Sequence, residues 1–284
     1  MDVSVIIVNW NTRDLLRACL RSLQVAEKEV EAEVIVVDNA STDGSAAITA
    51  EEFPEVRLIA SEENLGWAKG NNVGLEAGKG RYLLLLNPDT EVRPNALVTM
   101  TRFMDAHPNA GACAPKLLNP DGTIQASLRR FPEPGHLLWD VLGIAKLFPH
   151  SPRFAAYRMG DFTFDHVAEV DQPMGAALFL RREAVEEVGL IDEAFPIFFN
   201  DVDWCYRAVR QGWKIYFVPD AEIVHYGGSS TSQVKPRMVT ESHRSLERFY
   251  RKHYRDRLPR PIFEAIMKMS RMVEKRRIAR AGSS

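Results

Sequence analysis

The sequence has few cysteines and no long apolar run. Cys19, Cys113 and Cys205 are scattered through 284 residues, which excludes a disulfide framework or zinc cluster and predicts reduced core thiols. The longest apolar stretches, Tyr82 to Leu86 and Met174 to Leu180, fall far short of the ~20 residues that cross a bilayer. Strand-like residues begin at Val3; no room is left for a basic and then apolar leader, and the protein is expected to stay in the cytoplasm. Phosphate loops of the G-x-G-x-x-G and G-x-x-x-x-G-K-[ST] kinds are missing, and with them most of the case for a dehydrogenase or a P-loop enzyme. Repeats and low-complexity segments are absent as well.

The composition that remains is ordinary, 45% hydrophobic and 26% charged, which excludes disorder and collagen-like structure. The length allows about two domains, or one large α/β domain with an appendage. A net charge of −2 hides an asymmetry, because residues 244 to 284 hold thirteen Lys and Arg against four Asp and Glu. A basic tail on an acidic body suits an anionic partner such as nucleic acid or a membrane surface.

Strands are predicted at 3–8, 34–37, 56–59 and 82–86, with helices between them. Thr12 is the expected N-cap of the first helix, and Gly66, Gly70, Gly74 and Gly78 share one face of the third. Such a glycine stripe costs about 1 kcal/mol per residue relative to alanine and implies close packing or a nearby ligand. The alternation predicts a parallel sheet whose ligands gather at the carboxyl ends of the strands. After Pro115 the pattern loosens. A turn at Asn119 to Gly122 closes a hairpin, 132–165 reads as a loop with short helices, and 172–180 as a strand. Helices follow at 181–188 and 202–211, the latter ended by Gly212, then strands at 214–218 and 222–225. From Thr240 the chain is helical, broken by Pro259 and Pro261.

Three polar clusters follow buried strands: Asn9-Trp10-Asn11, Asp38 through Ser45, and Asn87-Pro88-Asp89. Asp38 suits an imide N–H of uracil or thymine, while Ser41 and Asp43 read equally well as caps. Asn87-Pro88-Asp89 is an oxygen-rich turn that suits Mg²⁺ or Mn²⁺ under a diphosphate, or is a plain turn. Asp201 opens the helix beyond the run Phe195 to Phe199, where apolar neighbours raise a carboxyl toward the range of a general base; an N-cap is the alternative. Asp203 in the first turn suits the helix dipole. His225 ends an apolar strand as a ligand or as a buried hydrogen-bonder.

Taken in order, Val-Asn-Trp-Asn at 8–11, Val-Asp-Asn-Ala-Ser-Thr-Asp-Gly-Ser at 37–45, Asn-Leu-Gly-Trp-Ala-Lys-Gly-Asn-Asn at 64–72, Leu-Asn-Pro-Asp at 86–89, Phe-Asn-Asp-Val-Asp-Trp-Cys-Tyr-Arg at 199–207 and His225 resemble the family 2 inverting glycosyltransferases, their bacterial rhamnosyltransferase-like and galactofuranosyltransferase-like members above all. The resemblance implies an α/β GT-A fold with a mixed, largely parallel central sheet. It divides the chain into a nucleotide-sugar half at 1–116, an acceptor and catalytic-base half at 117–232, and a basic helical extension at 233–284. It also implies a catalytic base at Asp201 and a donor site of Asn9, Asn11, Asp38, Asn64, Gly66, Lys69, Asn71, Asn87 and Asp89. Gly175, Ala176, Asp203 and Trp204 are assigned to the acceptor. A divalent cation, Mg²⁺ or Mn²⁺, is expected on Asp89 and His225. Two positions depart from the family pattern: Asn87 begins the metal motif in place of an acid, and Asn200 replaces the Glu before the base.

The implied partners are dTDP-rhamnose or a UDP-sugar and a glycan or lipid-linked acceptor in cell-surface polysaccharide synthesis, without nucleic acid. A sugar-phosphate nucleotidyltransferase is a competing reading, but it calls for a glycine-rich, arginine-bearing loop where Asn9-Trp10-Asn11 stands. A non-catalytic protein binding anionic glycan or membrane has no need of Asp89, Asp201 and His225. Residues 259–280 form an amphipathic helix, with Ile262, Ile266, Met269 and Val273 in one stripe and Lys268, Arg271 and Lys275 opposite. That helix would lie on the inner face of an anionic membrane, or pack on its own domain or a second subunit of a homo-oligomer.

Overall fold

The computed structural model describes residues 1–26, 29–141, 144–148, 151, 156–227 and 235–281. Its first strand, Val3–Asn9 (β1), holds five β-branched residues and is buried on both faces, the setting that such side chains suit. It lies parallel to Ala32–Asp38 (β2) and Tyr82–Leu86 (β4), and Arg57–Ala60 (β3) is the outer parallel neighbour of β2. Helices Arg13–Ala26 (α1), Ser45–Glu52 (α2) and Gly66–Ala77 (α3) make the crossovers. Alternate strand residues serve opposite cores, as the period of two requires. Ile6, Leu83 and Leu85 meet Leu75 of α3, whereas Val5, Ile7, Leu84 and Leu86 meet Leu16 and Leu20 of α1.

The glycine stripe proves to be close packing. A Cβ on Gly70 would lie 2.8 Å from Val8 Cγ1, and one on Gly74 would lie 2.2 Å from Ile6 Cγ2. Gly74→Ala is therefore expected to destabilise the protein by about 2–3 kcal/mol, well beyond the ~1 kcal/mol that alanine contributes as a helix former. A thermal melt with an unchanged midpoint would refute this.

The sheet then becomes mixed. Thr90–Val92 (β5), Ala96–Ala106 (α4) and Ala110–Leu118 (β6) follow β4. Leu128–Arg129 (β7) forms a small separate sheet with Gln172–Pro173 (β9), and Pro134–Val141 (α5), Ile144–Leu147 (α6) and Ala168–Glu169 (β8) lie between them. Ala177–Arg181 (β10) inserts antiparallel between β4 and β6, so strands from both expected halves share one sheet. Residue 116 lies inside β6, and the boundary placed at residue 232 falls outside the described residues. Arg182–Val188 (α7) and Asn200–Arg210 (α8) precede Lys214–His225 (β11). Gly212 after α8 has φ 96°, the left-handed conformation expected after a helix end. The two strands predicted at 214–225 are one strand, irregular between Val218 and Glu222. The short β5 and the Gly- and Pro-containing β6 were not anticipated.

Lys235–His253 (α9) and Arg260–Ala281 (α10) complete the chain. α10 packs on α9 and α5, burying Phe263, Ile266 and Met267. Of the apolar stripe offered to a membrane, Ile266 is buried, Met269 and Val273 are half-buried, and Ile262 is 50% exposed. Among the described residues no helix is long and apolar enough to cross a membrane.

Candidate active site

Strand register gathers the chemistry at one end of the sheet. The Ala177–Leu86 pairing of β10 with β4 carries Gly175 and Ala176 past the end of β4, where Asn87 N donates to Ala176 O at 2.9 Å. The far end of β11 pairs with β5 in a register that sets His225 opposite Thr90, and Tyr226 N donates to Asp89 O at 2.9 Å. A cavity of about 900 Å³ opens here. Asp89, Gly175, Ala176, Asp201 and His225 all line it, as do Asn64, Gly66 and Asn87.

Asp201 sits in the first turn of α8. The turn is entered through Phe199, whose φ of 66° is unusual for a side chain of that size. Asn200 Oδ1 accepts from Asp201 N at 2.7 Å, while Asp201 Oδ1 accepts from Val202 N and Oδ2 from Gly175 N, each at 2.8 Å. Burial raises the carboxyl above its ordinary pKa, and those backbone donors pull the other way; no acidic neighbour at position 200 is needed for that direction. A Cβ on Gly175 would lie 3.0 Å from Asp201 Oδ2. The glycine thus makes room for the carboxylate rather than only for a sugar.

Asp89 Oδ1 lies 3.4 Å from His225 Nε2, and both residues are buried at 6% exposure. An oxygen and an imidazole nitrogen side by side under an open cleft fit Mg²⁺ or Mn²⁺. Among the described residues no third His, Cys, Asp or Glu completes a cluster, so substrate oxygens and water would supply the remaining positions.

The expected donor residues divide. Asp38 does not line the cavity: at 2% exposure its Oδ1 accepts from Asn9 Nδ2 at 2.9 Å and its Oδ2 from Ser41 N at 2.9 Å. One donor of the protein's own thus sits on each oxygen of the carboxylate expected to read the base. Asn9 is likewise internal, with Oδ1 accepting from Thr12 Oγ1 at 2.6 Å. Thr12 stands at the expected N-cap position, its O accepting from Leu16 N at 2.8 Å, but its hydroxyl is turned to Asn9, and Asp43 Oδ2 accepts from Arg13 N at 2.8 Å. Asn11 bonds Thr42 N at 2.8 Å, Asn71 donates to Trp67 O at 2.8 Å, and Lys69 pairs with Glu63 at 3.8 Å; none of the three lines the cavity.

Trp10, Asn39 and Trp67 are among the cavity residues that were not expected at the site. Asn39 points to the opposite side from Asp38, as the next residue of a strand end must. Its Nδ2 donates to Gly66 O at 3.1 Å, and its buried Oδ1 has no partner. The period of two was the signal that could have found it. Trp67 Nε1 donates to Asn87 Oδ1 at 3.2 Å, giving the non-acidic Asn87 a structural partner.

A family model described as glycosyl transferase family 2 matches residues 4–165, more than half of the chain. The chain belongs to that family. It is 29% identical over 258 residues to N-acetylglucosaminyl-diphospho-decaprenol L-rhamnosyltransferase of Mycobacterium tuberculosis, an alignment spanning 85% of this chain and 81% of the relative. It is 23% identical to the low-salt glycan biosynthesis hexosyltransferase Agl10 of Haloferax volcanii, over 79% of this chain and 67% of that one. The mannosyltransferase PcManGT of Pyrobaculum calidifontis, solved with GDP-Man and Mn²⁺, shares the fold with a TM-score of 0.62 at 19% identity, over 99% of this chain and 73% of that one. Staphylococcus aureus TarS with UDP-GlcNAc gives 0.61 at 19% identity, over 94% and 70%. The architecture is the GT-A fold.

Two acceptor assignments in this glycosyltransferase are corrected by its packing. Trp204 is 1% exposed and donates through Nε1 to Gly189 O at 3.1 Å. Asp203 is fully buried and accepts from His253 Nε2 at 2.7 Å, Lys252 Nζ at 2.8 Å and Arg207 Nε at 2.8 Å. In this turn Asn200, Asp201 and Val202 line the cavity, whereas Asp203 and Trp204 do not. Burial would raise the Asp203 carboxyl, but the hydrogen bonds from His253, Lys252 and Arg207 outweigh it and bring the pKa down to about 2.

A depressed pKa stabilises the fold above the unfolded-state value and loses that contribution as pH falls. Protonating Asp203 is expected to remove about 2 kcal/mol between roughly pH 5 and pH 2. Asp203→Ala, which removes the buried acceptor shared by Arg207, Lys252 and His253, should cost about 3 kcal/mol at pH 7. Urea melts at pH 7 and pH 2 check both values, and a variant of undiminished stability would contradict them.

Proposed function

We propose that the protein transfers L-rhamnose, with inversion, from a dTDP-linked donor to a hydroxyl of a lipid-linked glycan in polysaccharide biosynthesis. The observation that carries this reading is the placement of Asp201 on the same cavity as the Asp89–His225 pair. The name of the mycobacterial relative supports the choice of sugar and acceptor.

Asp201 receives the acceptor's hydroxyl proton on a carboxylate whose other contacts are backbone N–H groups. The freed oxygen forms its bond to the anomeric carbon as the bond from that carbon to the diphosphate breaks, and the nucleoside diphosphate leaves with the electron pair. A divalent cation held by Asp89 and His225 would supply charge neutralisation for that leaving group. Asp201 gives general-base help of about 10²–10⁴-fold. Glu241, which also lines the cavity, is engaged by Arg248 Nη1 at 2.6 Å. One base with no carboxylate in the role of nucleophile makes a single displacement, and hence inversion. At the donor end, the indoles of Trp10 and Trp67 offer apolar surface to a ring, and Asn39 Oδ1 offers an acceptor to an imide N–H.

The test is turnover of dTDP-rhamnose with Mn²⁺ and an N-acetylglucosaminyl-diphospho-lipid acceptor, with UDP-sugars in parallel. Product from dTDP-rhamnose with inverted anomeric configuration is expected. Retention would overturn the mechanism, and preferred use of a UDP-sugar would overturn the donor.

A further inference from the structure

His225 is held from behind by a run of hydrogen bonds that ends on a carboxylate, and each bond fixes the direction of the next. Asp121, in the tight turn after β6, accepts from Thr123 Oγ1 at 2.6 Å and Thr123 N at 3.0 Å. These bonds hold its carboxyl below the ordinary range, so it is ionised and can only accept. The Thr123 hydroxyl proton is therefore directed to Asp121, and its oxygen accepts from Asn119 Nδ2 at 2.9 Å. With that amide oriented, Asn119 Oδ1 accepts from Gln125 Nε2 at 3.0 Å. Gln125 Oε1 is thereby turned to His225 Nδ1 at 2.7 Å.

An amide oxygen cannot donate, so Nδ1 carries a proton, and Nε2 is the nitrogen left to present a lone pair to a cation. That lone pair faces Asp89 Oδ1 at 3.4 Å. A lone pair and a carboxylate oxygen so placed suit a cation between them. Gln125 is itself anchored, its N donating to Leu117 O at 2.9 Å.

We propose that Gln125 is a positioning residue for the cation site, and that the turn at 119–123 works through it to hold His225 as the Nδ1–H tautomer with Nε2 presented beside Asp89. The inference rests on the reading of Asp89 and His225 as cation ligands. Sequence alone did not point to Gln125, which lies 100 residues from His225.

The experiment titrates Mn²⁺ alone into the full chain, following the free ion by electron paramagnetic resonance, and records long-range ¹H–¹⁵N spectra of the metal-free protein. The wild type should show His225 protonated on Nδ1. Gln125→Leu should lose about 10–100-fold in Mn²⁺ affinity, and Gln125→Glu, which keeps an acceptor for Nδ1, should stay within a few-fold of wild type. A merely structural role would lower the melting temperature without separating the two variants in Mn²⁺ affinity. A proton on Nε2 in the wild type, or undiminished Mn²⁺ affinity in Gln125→Leu, overturns the proposal; the first readout stands even if that variant does not fold. Asp89→Asn separates the two readings. If it binds Mn²⁺ as the wild type does, the cation assignment itself fails; if it loses Mn²⁺ while Gln125→Leu retains it, only the role of Gln125 fails.

Discussion

Asp201→Asn is expected to lower kcat by about 10²–10⁴-fold while leaving the affinity for nucleotide sugar nearly unchanged. Asparagine conserves the volume beside Gly175, but it cannot take a proton from an acceptor hydroxyl at neutral pH. The wild-type pH profile follows from the same carboxyl. Because burial places its pKa above the ordinary range, kcat/KM should fall on the acid side as Asp201 becomes protonated, and at a higher pH than an exposed aspartate would give. The asparagine variant should lose that acid limb along with its rate. Initial rates over a pH series check both statements, and a variant with wild-type kcat would remove Asp201 from the chemistry.

Asp89→Ala should be comparably severe but different in kind. Stabilising charge on a departing diphosphate is worth several kcal/mol, so the loss should reach about 10³-fold in kcat/KM. The response to Mn²⁺ distinguishes the two variants. Stimulation by Mn²⁺ should vanish in Asp89→Ala and persist, on a much lower base, in Asp201→Asn. Equal Mn²⁺ stimulation of Asp89→Ala and wild type would place the cation elsewhere.

Periodicity carried the first half of the fold. Continuous β-branched and leucine runs announced β1, β2 and β4 because strands buried on both faces need them, and the observed registers tie these runs together. The same logic found the residues of β10 and β11 but not their arrangement, in which one strand crosses between halves and the other continues past an irregularity at Val218 to Glu222; such pairings are set by tertiary contacts that no local pattern encodes. At the site, residues at strand ends and helix starts were readable as polar groups following apolar runs. Which way each one faces was not. Asp38 and Asn39 differ by a single step along the chain, and so do Asp203 and Trp204, yet the first pair splits between interior and cleft while the second is wholly interior. Gln125 lay beyond reach for a different reason: its importance depends on the polarity of a hydrogen-bond chain, and polarity is a property of the assembled turn.

β10 has one more implication. Its pairing with β4 carries Ala176 to Asn87 and Gly175 to the Asp201 carboxylate, so one short strut sets the span between the base proposed at Asp201 and the cation pair proposed beside Asn87. A single inserted residue there would exchange the faces of the strut and misalign both ends at once. Indels among enzymes built on this plan should accordingly collect in peripheral connections, leaving the length of this segment among the least negotiable dimensions of the molecule.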